Sequence, residues 1–146
     1  MTTICCSRSH GEMAGDSRAN LEYNFTHFPA KKVEKIGEVL VGAGGRALDC
    51  TAFFTWVRHG ADPDNKPPID SEDNGFQGLI MSHDGIFYYE KDLCPMKVDR
   101  DFHAIGTGSQ AALAALMLGK PPKRAVEIAA RIDSNTGAPF TVISLD

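Results

Sequence analysis

Residues 31–58, KKVEKIGEVLVGAGGRALDCTAFFTWVR, carry the reading that decides the fold. Lys31–Ile36 predicts a short strand, Gly37-Glu38 a turn, and Val39–Ala43 a strongly apolar second strand. β-Branched residues suit a pleated, packed surface, and glycine suits the tight reversal between the two strands. Gly44-Gly45 then opens a helix over Arg46–Arg58, where Leu48, Ala52, Phe53 and Val57 recur at the spacing of a buried helical face.

The same alternation extends upstream and downstream. Thr2–Arg8 predicts a strand, His10-Gly11 a turn and Glu12–Ser17 a returning strand. After the helix, His59–Gly75 (HGADPDNKPPIDSEDNG) is a polar loop holding Pro63, Pro67, Pro68 and five acidic residues. Proline interrupts a helix and the charges favour solvation, so no continuous amphipathic helix is expected there. Phe76–Ser82 and Ile86–Glu90 form a hairpin through His83-Asp84-Gly85. Phe102–Ile105 is a further strand, Gln110–Leu118 a helix, Pro121-Pro122 the start of a second helix to about Ile132, and Phe140–Leu145 the last strand. Two antiparallel sheets with helices over their outer faces satisfy this order, which makes the chain α+β.

At 146 residues, 42% hydrophobic and 23% charged, the chain is expected to form one soluble globular domain, residues 1–146. A net charge of -4 offers no general footprint for nucleic acid. No apolar run nears the ~20 residues of a spanning helix and no basic-then-apolar leader opens the chain, so a cytoplasmic protein without membrane contact is expected. Cys5, Cys6, Cys50 and Cys94 form no CxxC pair, and His10, His27, His59, His83 and His103 are scattered. Neither a disulfide framework nor a metal site is expected, and no cofactor is implied.

Two glycine turns attract notice. Gly42-Ala43-Gly44-Gly45-Arg46-Ala47 and Gly106-Thr107-Gly108-Ser109-Gln110-Ala111 both fit G-x-G-x-x-A between a strand and a helix. Exposed N–H groups there could hold a phosphate, but a dinucleotide site also needs a following parallel strand ending in an acidic residue. A proline-rich loop follows the first motif and two consecutive helices follow the second. Glycine permitting a tight turn, or N–H groups stabilising an oxyanion, are the competing readings.

Taken in order, Met1-Thr2-Thr3-Ile4, Gly15-Asp16, Lys31-Lys32-Val33, Gly42-Ala43-Gly44-Gly45, Gly106-Thr107-Gly108-Ser109 and Glu127-Ile128-Ala129 resemble proteasome β subunits and the bacterial HslV peptidase. The resemblance implies a four-layer αββα sandwich, the N-terminal-nucleophile hydrolase fold. Family members carry a second long helix where this chain has Pro63–Gly75, so one outer helix is missing or shortened and that layer is thin. The first hairpin is two residues shorter than the family pattern, an even change that keeps side chains on the same faces.

The resemblance also implies chemistry. Thr2, freed of Met1, would attack through its hydroxyl while its own α-amine, with an unperturbed pKa near ~8, accepts the proton. Lys32 would ease formation of the alkoxide, and Asp16 would keep that lysine charged and oriented. Lys31 is expected on the surface. The Gly44 N–H matches the family's oxyanion donor. Thr107 stands where the family has a serine that binds the terminal amine, with Ser109 a neighbouring candidate. Asp133, Thr136 and Gly137 resemble the D-x-x-S-G segment that orients that amine, with threonine in place of serine; a polar turn after a helix is the lesser alternative. Ala19–His27 is expected to border the cleft. Arg46 either lines the pocket or is a solvated helix arginine, while Met13, Phe53, Phe54 and Trp56 are packing residues.

The implied activity is that of a threonine endopeptidase acting on peptide or unfolded protein within a homo-oligomeric ring, with an AAA+ unfoldase as a possible partner. Two alternatives stand beside it: a non-catalytic, proteasome-like structural or interaction subunit, and an N-terminal-nucleophile amidase of small molecules.

Overall fold

The computed structural model describes residues 2–20, 27–29, 31–72 and 75–146. The first strand, β1 (Thr3–Ser7), begins one residue after Thr2, and the chain turns back through residues 8–11 into β2 (Glu12–Gly15). A short hairpin follows, β3 (Arg18–Asn20) with β4 (His27–Pro29), which the sequence did not reveal. Then come β5 (Val33–Ile36), β6 (Val39–Gly44) and helix α1 (Ala47–Arg58). After the 59–75 segment, β7 (Gln77–Ser82) and β8 (Gly85–Tyr89) form the expected hairpin, and two residues, Met96–Lys97, add a strand β9. β10 (Phe102–Gly106), α2 (Ser109–Met117), α3 (Pro122–Ile132) and β11 (Thr141–Ser144) complete the chain.

Besides the β3–β4 hairpin, the described strands form two larger antiparallel sheets. One has the order β10-β1-β2-β11 and the other β5-β6-β7-β8-β9. β1 lies inside the first sheet, between β10 and β2, so all its residues are buried. Its alternation feeds two cores. Ile4 and Cys6 join Met13, Val33, Leu40, Leu79, Met81, Ile86 and Ile105, residues drawn from both sheets. Cys5 points the other way, to Ala14, Ala104 and the small residues Ala112, Ala115, Ala125 and Ala129 of α2 and α3. Alanine at those helix positions lets α2 and α3 lie close to each other and to the sheet.

A third core sits under α1. Phe53 is its centre, with ring contacts to Phe54, Trp56, Phe76 and Tyr89 at 5.3–6.5 Å. The predicted buried face of this helix is partly wrong. Phe53 and Val57 are buried, but Leu48 is 71% exposed and Ala52 only partly covered. The helix is rotated so that Asp49, not Leu48, turns inward, because the 59–75 segment supplies the groups that bind a carboxylate. Asp49 accepts from the Ser71 hydroxyl, from the Asp70 amide at 3.2 Å and from Arg46 at 3.4 Å. The segment itself holds a 3-10 turn at Pro63–Asn65 and is otherwise irregular where described. No described helix is long and apolar enough to cross a membrane.

Candidate functional site

The site is built where β1 begins. Thr2 is 5% exposed, and two turns enclose it. Gly44, the last residue of β6, lies so near that a Cβ there would stand 3.0 Å from Thr2 Cγ2 and 3.3 Å from its Cβ. Gly106, the last residue of β10, has φ +97°, and a Cβ there would fall 1.9 Å from the Thr2 carbonyl oxygen. Only glycine fits that position. The two G-x-G-x-x-A motifs are thus filled by the chain's own first strand, and the antiparallel sheets around them lack the βαβ unit of a dinucleotide fold.

Asp16 organises the next layer. It follows β2 and is 1% exposed. Its Oδ1 accepts from the Thr3 amide at 3.0 Å and from Lys32 Nζ at 2.9 Å. Its Oδ2 accepts from the amides of Gly137 at 3.1 Å and Arg18 at 3.3 Å. These N–H donors, converging on both oxygens, fix the orientation of the carboxylate. Lys32 also donates to the Arg18 carbonyl. Burial lowers the Lys32 pKa below the ordinary lysine value, and the attraction of Asp16 only partly offsets this. Lys31, by contrast, is exposed and pairs with Glu34 at 3.2 Å.

Behind Thr2, the turn after α3 closes the site. Thr107 Oγ1 donates to the Asp133 carboxylate and lies 3.5 Å from the Thr2 carbonyl oxygen. Thr136 Oγ1 donates to the same Asp133 Oδ2 at 2.7 Å and contacts Thr3 Oγ1 at 2.7 Å. Burial alone would raise the Asp133 pKa, but the hydrogen bonds from Thr107, Thr136 and the Asn135 amide outweigh it and hold the carboxyl below the usual range. Ser109 begins α2 and lines a different pocket, with Tyr88, Arg100 and His103. Among the two hydroxyls considered from sequence, it is Thr107 that reaches Thr2.

The structure therefore gathers Thr2, Asp16, Lys32, Gly44, Thr107, Asp133 and Thr136 into one contiguous network. Arg46 is half exposed and bonded to Asp49 and Asp70. Of the Ala19–His27 stretch, residues 21–26 lie outside the described residues. Sequence reasoning missed Thr3, whose hydroxyl joins Thr136 and whose amide anchors Asp16; a threonine pair at a strand start carried no sign of it. It also missed Cys50 on α1, whose half-buried thiol senses the Lys32 charge. Burial and then the Asp49 charge push that thiol up to about 12, so it stays protonated at neutral pH.

No family model matches the chain, and no curated protein matches it in sequence. Solved structures do match its fold. Thiobacillus denitrificans BPH in complex with epoxomicin superposes with a TM-score of 0.71 at 20% identity, over 99% of this chain and 100% of that one. Eukaryotic HslV from Trypanosoma brucei gives 0.75 at 19% identity over 97% and 98%. A Gly-1 mutant of Anbu from a Hyphomicrobium strain gives 0.68 at 11% identity over 99% and 81%. Over nearly its whole length, this chain has the fold of the HslV and proteasome-type N-terminal-nucleophile hydrolases.

Proposed function

We propose that this chain is a threonine peptidase that hydrolyses peptide bonds in peptides or unfolded protein, with Thr2 as nucleophile once Met1 is removed. The observation that carries the reading is the enclosure of Thr2 by Gly44 and Gly106, with the Asp16–Lys32 pair bonded to the adjoining Thr3 amide and the Asp133 hydroxyl cluster reaching the Thr2 carbonyl through Thr107. The three apolar clusters support a layered reading, helix, sheet, sheet, helices, with α1 alone on the thin side among the described residues.

In this mechanism the Thr2 hydroxyl adds to the scissile carbonyl carbon while its proton passes to the free α-amine. The Lys32 ammonium stabilises the developing alkoxide, and Asp16 fixes that ammonium. The carbonyl oxygen becomes an oxyanion at the Gly44 N–H, where the missing side chain leaves room for the substrate backbone. Collapse breaks the C–N bond, and the amine leaves with the proton held by the α-amine. Water, deprotonated by the same amine, then cleaves the Thr2 ester. Thr107, Asp133 and Thr136 hold the chain start so that the amine faces the hydroxyl.

Assembly into a homo-oligomeric ring fits this activity, since it would confine an unselective cleft, and an AAA+ unfoldase would then supply substrate. Ring contacts that the resemblance assigns to a second outer helix would be absent or replaced here. The activity is tested by hydrolysis of a fluorogenic peptide. Thr2→Ala abolishes it with the fold intact, and Thr2→Ser keeps part of it; full activity in Thr2→Ala overturns the proposal.

A further inference from the structure

Gly44 and Gly106 grip Thr2 from different sheets, and one side chain spans the gap between their turns. Gln77 opens β7 directly opposite Gly44 in the β6–β7 register. Its Oε1 accepts the Gly106 N–H at 2.9 Å, and its Nε2 donates to the Tyr88 hydroxyl at 3.1 Å. The amide cannot be reversed without facing an N–H donor to the Gly106 N–H, so its orientation follows from the network. Tyr88 is itself braced, its ring edge-on to His103 at 5.8 Å. Burial raises the Tyr88 pKa, which keeps the phenol protonated.

We propose that Gln77 is a positioning residue for the Thr2 nucleophile. By anchoring Gly106 beside its own strand partner Gly44, it fixes the distance between the turn against the Thr2 carbonyl and the turn against the Thr2 side chain. The need for it is physical. Gly106 has φ +97° and no side chain to pack, so its place depends on what its backbone bonds to. An attack geometry is sensitive to displacements of about an ångström, and the Thr2 carbonyl rests on this residue. Nothing in the local sequence marks Gln77; a polar residue starting an apolar strand reads as a solvated end. Its role in catalysis rests on the assignment of Thr2 made above, whereas its hold on Gly106 does not.

The test compares the full-length protein with Gln77→Leu, which removes both hydrogen bonds, and Gln77→Glu, which keeps an acceptor for Gly106. Gln77→Leu is expected to lower kcat on a fluorogenic peptide by about tenfold with KM little changed, and Gln77→Glu to recover most of the loss. Amide hydrogen exchange at Gly106 should quicken in Gln77→Leu and stay slow in Gln77→Glu. Wild-type kcat in Gln77→Leu, equal losses in both variants, or an effect confined to KM overturns the proposal. Should Gln77→Leu fail to fold, Gln77→Met decides: it keeps the length of the side chain without the amide, and an unchanged kcat with unchanged Gly106 exchange counts against the bridge. If the wild type hydrolyses no peptide, the peptidase reading falls, and Gly106 exchange alone decides whether Gln77 holds the turn.

Discussion

The Lys32 ammonium and the Asp16 carboxylate meet at 2.9 Å with their side chains 8% and 0% exposed. The pair is not a surface ornament. The same Asp16 oxygen that accepts the hydrogen bond from Lys32 also accepts one from the Thr3 amide, so the cation is tied to the residue next to Thr2.

Removing Lys32 should therefore act on chemistry first. Lys32→Ala is expected to lower kcat by at least ~10²-fold, the scale of a lost electrostatic or acid–base group, while Lys31→Ala changes it little. Breaking a buried pair typically costs ~3–5 kcal/mol, but three backbone amides still satisfy Asp16 and should soften the loss. Peptide hydrolysis together with a urea melt checks both parts. Equal small effects at both lysines would contradict the assignment.

The lowered Lys32 pKa has a pH consequence. If the ammonium must be charged, activity falls as pH rises through its folded-state pKa, at a lower pH than an ordinary lysine would allow. The stability effect runs the other way. A folded pKa below the unfolded one costs stability while the lysine is charged in both states, and that cost is relieved as pH rises from the folded to the unfolded value. A kcat–pH profile should show the basic limb, and Lys32→Arg should move it upward.

Gly44→Ala tests the close approach to Thr2. The added methyl would stand 3.0 Å from Thr2 Cγ2, so one of the two must shift by a few tenths of an ångström. The expected result is a loss of roughly 10²-fold in kcat with only a few degrees change in Tm, since a small displacement of the nucleophile is enough. A fully active Gly44→Ala protein would separate Gly44 from the chemistry.

Asp49 fastens the 59–75 segment to α1 through Ser71, Asp70 and Arg46. The carboxylate is 2% exposed, so Asp49→Ala leaves those donors without their acceptor and should cost about 1–3 kcal/mol. Limited proteolysis should then cut the segment near Pro67 faster than in the wild type. An unchanged cleavage rate would mean that other contacts hold it.

Most of the element order could be read from the sequence because its punctuation is strong. Pro122 starts α3 at its first residue, Gly85 closes the β7–β8 turn, and the apolar run of β6 has only one reading as a strand. The β3–β4 hairpin and the two-residue β9 escaped because strands that short carry no alternation. The face of α1 was misread for a different reason. Periodicity assumes that a buried position is apolar, and Asp49 is buried among donors from Asp70 and Ser71, which the chain brings back to it from the segment after the helix. Thr2, Asp16, Lys32 and Gly44 could be named as candidates only through an ordered resemblance. Thr3 and Gln77 could not, since what they do depends on tertiary partners, Thr136 for Thr3 and Gly106 for Gln77.

The central claim is that Thr2 is the nucleophile and needs a free α-amine. Its most direct test is to treat the purified protein with epoxomicin, the compound bound in the Thiobacillus denitrificans BPH structure, and to locate the adduct by tandem mass spectrometry. The account predicts an adduct on Thr2 in chains that have lost Met1, and none in chains that keep Met1 or carry Thr2→Ala. An adduct on Cys50 or elsewhere, or peptide hydrolysis by chains that all retain Met1, would contradict it.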